Sequence, residues 1–162
     1  MLRRFFALLF VLLAFGAPGA EAANDSGLPV PRFVSVRSGE VNLRTGPGMR
    51  YPIDWVLTRR AMPVEVIQEF DTWRRIRDYQ GTVGWVQSSF LTSRRTLLIT
   101  GETRKLRSDR TEEAGAVAMV EPGLVGRLLE CRETWCRAEI GGYKGWLKRT
   151  EFWGAYPDEA VK

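Results

Sequence analysis

Apolar and polar positions alternate along this chain in short bursts, and each burst stops at glycine, proline or an acidic residue. Phe33-Val34-Ser35-Val36 alternates before the turn residues Ser38-Gly39-Glu40. Met62 to Phe70 ("MPVEVIQEF") is β-branched and alternating, Asp71-Thr72 marks a tight turn, and Trp73 to Arg77 ("WRRIR") returns. Asp78 to Gly81 turns again, and Thr82 to Val86 is a further short strand. Short strands at close spacing, with Gly and Pro at the corners, predict a small all-β barrel or sandwich. Glu112 to Val120 has a helix-compatible composition, but its counterpart Met49 to Leu57 carries Pro52, so it is read as a loop followed by a strand.

The pattern occurs twice. "GTVGWVQSSFL" (Gly81 to Leu91) returns 61 residues later as "GYKGWLKRTEFW" (Gly142 to Trp153). "VNLRTGP" (Val41 to Pro47) is echoed by "RKLRSDR" (Arg104 to Arg110), and "DTWRRIR" (Asp71 to Arg77) by "ETWCRAE" (Glu133 to Glu139). The offsets drift only from 63 to 61, so two copies of one unit differ by small loop changes. Two copies are too few for a solenoid; they predict tandem domains over 30–95 and 96–155. Strand parity supplies the cores. Leu43, Val64, Val66, Ile76, Val86 and Leu91 are expected inside the first, and Leu106, Leu128, Ala138, Ile140 and Leu147 inside the second. If Ile76 points inward, Arg74 shares its face and Trp73, Arg75 and Arg77 take the other. In the second copy Cys136, Ala138 and Ile140 share one face, leaving Trp135, Arg137 and Glu139 opposite.

Leu43-Arg44-Thr45-Gly46-Pro47, a tryptophan after an acidic turn, then Gly84-Trp85-Val86 followed by Phe90-Leu91, together resemble the bacterial SH3 (SH3b-like) domain family. The second copy keeps Leu106-Arg107, Trp135 and Gly145-Trp146, loses Gly-Pro-Gly, and reads as inserting a residue before Phe152. The ending "EFWGAYPDE" resembles a subgroup of exported two-copy proteins of this kind. The resemblance implies two tandem SH3-like β-barrels and a peptide groove lined by the turn tryptophan. Carried over residue by residue, it places Tyr51, Trp73, Gln87 and Phe90 at a ligand-binding groove of the first barrel. The alternative for Trp73 is an aromatic lid over the barrel end. In the second copy the Tyr51 equivalent is not aromatic, so a degraded groove is expected there.

The ends and the composition narrow the setting. Arg3-Arg4, the apolar run Phe5 to Phe15, and Ala20-Glu21-Ala22 form a secretory signal pattern, with cleavage expected after Ala22. The run is shorter than the roughly 20 residues of a bilayer span, so no membrane span is expected in the mature chain. Loss of Arg3, Arg4 and Glu21 takes the formal net charge from +5 to +4, far from the basic stripe of a nucleic-acid binder. The chain has no histidine, which removes Ser-His-Asp and Cys-His nucleophile systems and His-bearing zinc sites. Two cysteines cannot make a four-thiolate site, so neither metal nor cofactor is expected. The arginine pairs Arg59-Arg60, Arg74-Arg75 and Arg94-Arg95 read first as a solvated face; beside Trp73 they would also suit an anionic ligand.

The two cysteines bracket Arg132-Glu133-Thr134-Trp135. With Glu133-Thr134 as a two-residue turn, Cys131 faces Cys136 directly across the hairpin, where non-hydrogen-bonded neighbours lie about 4.5 Å apart at Cα, within disulfide range. Export to an oxidising compartment favours the bond.

These readings converge on a non-enzymatic binding module of the periplasm or cell envelope that recognises peptidoglycan or an exported protein or peptide. The alternatives are a structural or assembly protein working through protein–protein contacts, and an accessory subunit of a cell-wall enzyme. The oligomeric state is left open. Protein recovered from the exported compartment should show no titratable thiol until it is reduced. Two free thiols in the unreduced, denatured chain would contradict the pairing.

Overall fold

The structure, a computed structural model, describes residues 25–162; the leader expected at 1–22 lies outside the described residues. The first sheet contains β1 (Arg32–Val36), β2 (Val41–Arg44), β3 (Ile53–Leu57), β4 (Pro63–Phe70), β5 (Trp73–Arg77), β6 (Val83–Gln87) and β7 (Leu91–Thr92). The second contains β8 (Thr96–Ile99), β9 (Arg104–Arg107), β10 (Ala116–Val120), β11 (Val125–Arg132), β12 (Trp135–Ile140), β13 (Tyr143–Lys148) and β14 (Phe152–Trp153). Their spatial orders are β3-β2-β6-β5-β4-β1-β7 and β10-β9-β13-β12-β11-β8-β14, which coincide when each label is advanced by seven. The expected all-β pair of small barrels is therefore what the chain forms, and Glu112 to Val120 is a loop leading into a strand.

The recurring phrase is the end of each barrel: a long strand, a single 3-10 turn, and a two-residue closing strand. The turns are Ser88–Phe90 and Arg149–Glu151. Both are three residues long, and that corrects the sequence reading. No residue is inserted before Phe152. Phe152 opens β14 as Leu91 opens β7, both buried, and the counterpart of Phe90 is Glu151.

Every expected core residue is buried. The first cluster gathers Leu43, Val64, Val66, Ile76, Val86 and Leu91 with Val34, Val36, Val41, Leu57 and Met62. The second gathers Leu106, Leu128, Ala138, Ile140 and Leu147 with Leu97, Ile99, Val120 and the two cysteines. The glycine before each strand tryptophan has a steric reason. A Cβ on Gly84 would sit 2.7 Å from the Leu43 Cβ, and one on Gly145 would sit 2.7 Å from the Arg107 carbonyl. β2 and β9 cross there against bare backbone.

One cross-strand position closes both hairpins by different chemistry. In the first barrel Glu69 faces Arg74, and the Arg74 Nε lies 3.1 Å from the Glu69 carboxylate. In the second barrel the matching residues are Cys131 and Cys136, paired in register and joined by a disulfide with Cα atoms 4.1 Å apart. Segments flanking the two sheets fasten to these same two points. Ser26 donates its N–H and hydroxyl to Glu69 at 2.8 and 2.7 Å, while the Cys131 N–H donates to the Val161 carbonyl at 3.0 Å.

The barrels share an apolar seam. Leu97 and Ile99 fill the second core, whereas Leu98 between them belongs to the first. Phe33 on β1 meets Trp153 edge-on at 5.0 Å and Tyr156 at 4.8 Å between ring centroids. The Tyr156 hydroxyl donates to Glu65 at 2.7 Å, and Arg95 pairs with Glu159. Burial opposes ionisation of Tyr156, and the hydrogen bond to Glu65 with the charges of Glu65 and Glu159 adds to it, outweighing Arg95; the phenol is pushed far above its ordinary value. A folded-state pKa above the unfolded one gives stability that is complete below about pH 10 and is lost as pH rises toward the folded value. Alkaline spectrophotometric titration should therefore reveal a phenol that ionises well above pH 10. Tyr156→Phe should remove that step and flatten the fall in Tm above pH 10. A titration unchanged by the substitution would refute this account.

Candidate functional site

The geometry around Trp73 begins with β5. Trp73 is its first residue, on the face opposite Ile76, yet it is only 7% exposed and lies outside both core clusters. It is buried by what surrounds it. Gln87 faces it across the β5–β6 ladder, the 3-10 turn brings Phe90 alongside, and β2 with the following loop supplies the other wall. The result is a shallow cleft lined by Glu40, Val41, Asn42, Arg44, Met49, Trp73, Gln87 and Phe90. The structure thus brings three of the four sequence-derived residues together. Tyr51 is not among the lining. Its ring packs over Gly46, where an added Cβ would come within 2.5 Å of it, and the long loop reaches the cleft through Met49 instead.

Arg44 is the residue that sequence reasoning treated only as part of a motif. It is half-buried on β2 and its Nη1 donates to the carbonyls of Tyr51 at 2.7 Å and Met49 at 3.2 Å, so it fixes the loop as well as lining the cleft. No carboxylate among the described residues lies within ion-pair distance of it. The signal was available in Leu43-Arg44 repeating as Leu106-Arg107.

The cleft holds about 170 Å³, below the roughly 300–1,000 Å³ of sites that enclose small molecules. Phe90 and Met49 offer most of the apolar surface, over the buried Trp73 and Val41, while Asn42, Gln87 and Arg44 offer hydrogen bonds. Such a trough suits an extended chain lying across it. One arginine of each pair is engaged elsewhere: Arg74 with Glu69, Arg95 with Glu159, and Arg59 with the Gly123 carbonyl.

The same place in the second barrel holds paired charges. Backbone pairing fixes the correspondence, since Thr45 N–H bonds Pro52 as Ser108 N–H bonds Gly115, and Trp73 faces Gln87 as Trp135 faces Lys148. Arg44, Met49, Trp73, Gln87 and Phe90 therefore correspond to Arg107, Glu112, Trp135, Lys148 and Glu151. The four charged members neutralise one another. Arg107 Nη1 lies 3.0 and 3.2 Å from the two Glu151 oxygens, its Nη2 lies 3.5 Å from Glu112, and Lys148 pairs with Glu112. The Arg107 guanidinium stands over one face of the half-buried Trp135 ring at 5.2 Å, a cation–π contact. These charges, beside the non-aromatic Ala114, set this place apart from the first-barrel cleft.

Among the described residues no group of three or more Cys, Asp or Glu side chains could hold a metal ion, and no helix is long and apolar enough to cross a membrane. The family model described as bacterial SH3 domain matches residues 37–92 and 101–154. No curated protein matches the chain in sequence. Solved structures similar to it include NlpC2 from Trichomonas vaginalis, at 10% identity and a TM-score of 0.37 over 80% of this chain and 50% of that one. NlpC1 from Trichomonas vaginalis aligns at 12% identity and a TM-score of 0.36 over 86% of this chain and 51% of that one. The chain spans about half the length of these structures.

The Arg107–Glu151 pair is almost wholly removed from solvent, with side chains 9% and 10% exposed. Removing one partner leaves an uncompensated charge, which costs about 3–5 kcal/mol. Glu151→Gln should lower unfolding stability by about that amount in urea titration. The double change Arg107→Met with Glu151→Leu should recover most of it. A single change costing under about 1 kcal/mol would mean that solvent already meets this charge.

Proposed function

Because the chain belongs to the bacterial SH3 domain family, we propose that it is a binding module of the cell envelope whose working cleft is the one on the first barrel. Domains of this family are binding modules, generally non-catalytic, that attach to other proteins or to the cell wall. Family and disulfide together point to an extracellular or envelope protein, which agrees with the export signal read at residues 1–22. The occupant we assign is an extended peptide, from peptidoglycan or from an exported protein. The observation that carries this reading is the convergence of Trp73, Gln87 and Phe90 on one shallow trough. Aromatic surface would stack on the peptide while Asn42, Gln87 and Arg44 hold its polar groups.

A second reading, assembly with other proteins, draws on a different feature. β3 and β10 are the outer strands of their sheets and carry exposed apolar side chains: Ile53, Trp55 and Val56 on β3, Val117 and Met119 on β10. Unpaired edges of this kind accept an added strand.

Sedimentation of the mature protein with insoluble peptidoglycan, before and after wall-bound proteins are stripped, distinguishes a wall ligand from a protein one. Phe90 is 39% exposed, so Phe90→Ala should leave Tm nearly unchanged while weakening binding by roughly 1–2 kcal/mol. Trp73→Ala should weaken it by about 2 kcal/mol or more, the scale of an aromatic hot spot. Trp135→Ala, beside the paired charges, should affect binding less than Trp73→Ala. A larger loss at Trp135 would place the working cleft on the wrong barrel.

A further inference from the structure

We propose that the first-barrel cleft recognises a free peptide carboxylate, held by Arg44, and that the second barrel contains a built-in copy of the bound state. This rests on the first-barrel cleft being the working site and names what it selects. In the second barrel the carboxylate of Glu151 occupies the corresponding position. It takes three hydrogen bonds from Arg107, at 3.0, 3.2 and 3.2 Å, and a fourth from the Lys148 N–H at 2.8 Å. The matching donors in the first barrel are the guanidinium of Arg44 and the N–H of Gln87, and both residues line the cleft. What is missing is the acceptor, because Phe90 stands where the acid would be.

The donor geometry suits an incoming carboxylate. Arg44 spends Nη1 on the Met49 and Tyr51 carbonyls; among the described residues no protein acceptor meets its Nη2 or Nε. A guanidinium fixed along one side presents the rest of its planar fork to a bidentate acceptor. Glu112 in the second barrel is replaced by Met49 in the first, so a second internal anion is also absent. Glu40 is the acidic side chain of the lining; it makes no ion pair with Arg44 and sits on the approach, where it would disfavour ligands carrying several negative charges. Beside the anchored carboxylate, Trp73 and Phe90 supply apolar surface for the residues that precede it.

The chemistry is shared by stem peptides of the wall and by protein C-termini or acidic side chains, so the test uses both sources. Insoluble peptidoglycan sacculi, native or with carboxyls converted to amides, form one arm. Surface-held extended peptides, with free or amidated carboxyls, form the other. In whichever arm the mature chain binds, amidation should weaken binding about tenfold or more, the scale of a charge-assisted hydrogen bond. Arg44→Gln and Arg44→Lys should each weaken binding to the free acid, with little further loss when the probe is amidated. Phe90→Glu supplies the internal acid, and should abolish binding to the free acid, whereas Phe90→Gln should retain more of it. Far- and near-ultraviolet circular dichroism establishes that each variant is folded. Binding that depends on Trp73 but is indifferent to amidation would overturn the carboxylate assignment and leave the cleft standing. Equal effects of Phe90→Glu and Phe90→Gln would overturn it as well. Binding in neither arm would sink both readings.

Discussion

β8 is buried on both faces, and the two barrels are held together because of it. Alternation along a strand sends Leu97 and Ile99 into the second core and leaves Leu98 pointing out of that barrel. An exposed leucine there would forgo roughly 1.5–3 kcal/mol of burial. Instead it completes the first core, where Val125 and Trp153 also pack. β1 answers in kind: Val34 and Val36 face its own core, while Phe33 meets Trp153 and Tyr156 and the Ser35 hydroxyl donates to the Arg94 carbonyl at 2.8 Å. The connection between the sheets is only Ser93 to Arg95, and the side chains beside it are used on both sides. Each unit is therefore a barrel with one face finished by the other.

That arrangement leaves the two hairpin tips, β4–β5 and β11–β12, far along the chain from the seam, and segments flanking the sheets secure them. The N-terminal segment reaches Glu69, and the C-terminal segment reaches Cys131. In the first barrel the cross-strand site is an ion pair whose carboxylate also takes Arg32 and Ser26. Burial would raise the Glu69 pKa, but the Ser26 hydrogen bonds and Arg32 outweigh it and hold the carboxyl below its ordinary value. In the second barrel a disulfide takes that place, contributing about 2 kcal/mol by restricting a short loop of the unfolded chain. One is sensitive to acid and the other to reductant. The fold tolerates either because the site asks only that two inward-facing side chains on adjacent strands be joined.

The sequence disclosed the parts of this fold governed by a period of two. Core positions, hairpin turns, the Cys131–Cys136 register and the two-copy plan all followed from alternation and turn chemistry. Pairing Phe152 with Phe90 by residue type hides the register that the three-residue turn sets. Leu91 and Phe152 share a need to be buried; Phe90 and Glu151 share only a place. The seam was invisible for another reason: Phe33 and Tyr156 are separated by almost the whole described chain, and no local pattern links them. Tyr51 misled in a third way. An aromatic on a long loop was placed at the groove by resemblance, but Gly46 leaves a hollow under its ring, and the ring fills it. Trp73 joins both expectations for it, since it is sealed like a lid and forms part of a cleft wall.

What most separates the two barrels is how each meets the charge of one arginine. Arg44 ties down the long loop through two carbonyls, and Arg107 likewise donates to a backbone carbonyl, that of Lys105, at 3.0 Å. The side chain bonds backbone in both copies, the long loop in the first and its own strand in the second, and its positive charge comes with it. A buried cation needs a partner, because desolvation without one costs several kcal/mol. In the second barrel Glu151 and Glu112 meet that need within the protein, placing their charges where Phe90 and Met49 stand in the first. In the first, Phe90 and Met49 stand at those positions, and Arg44 must remain partly open to solvent. The same arginine therefore sits in a self-neutralised charge cluster in one copy and in a trough with no carboxylate partner, beside Phe90, in the other. The lack of a carboxylate partner at the first barrel follows from exchanging two acids for two apolar residues, with no change in backbone plan.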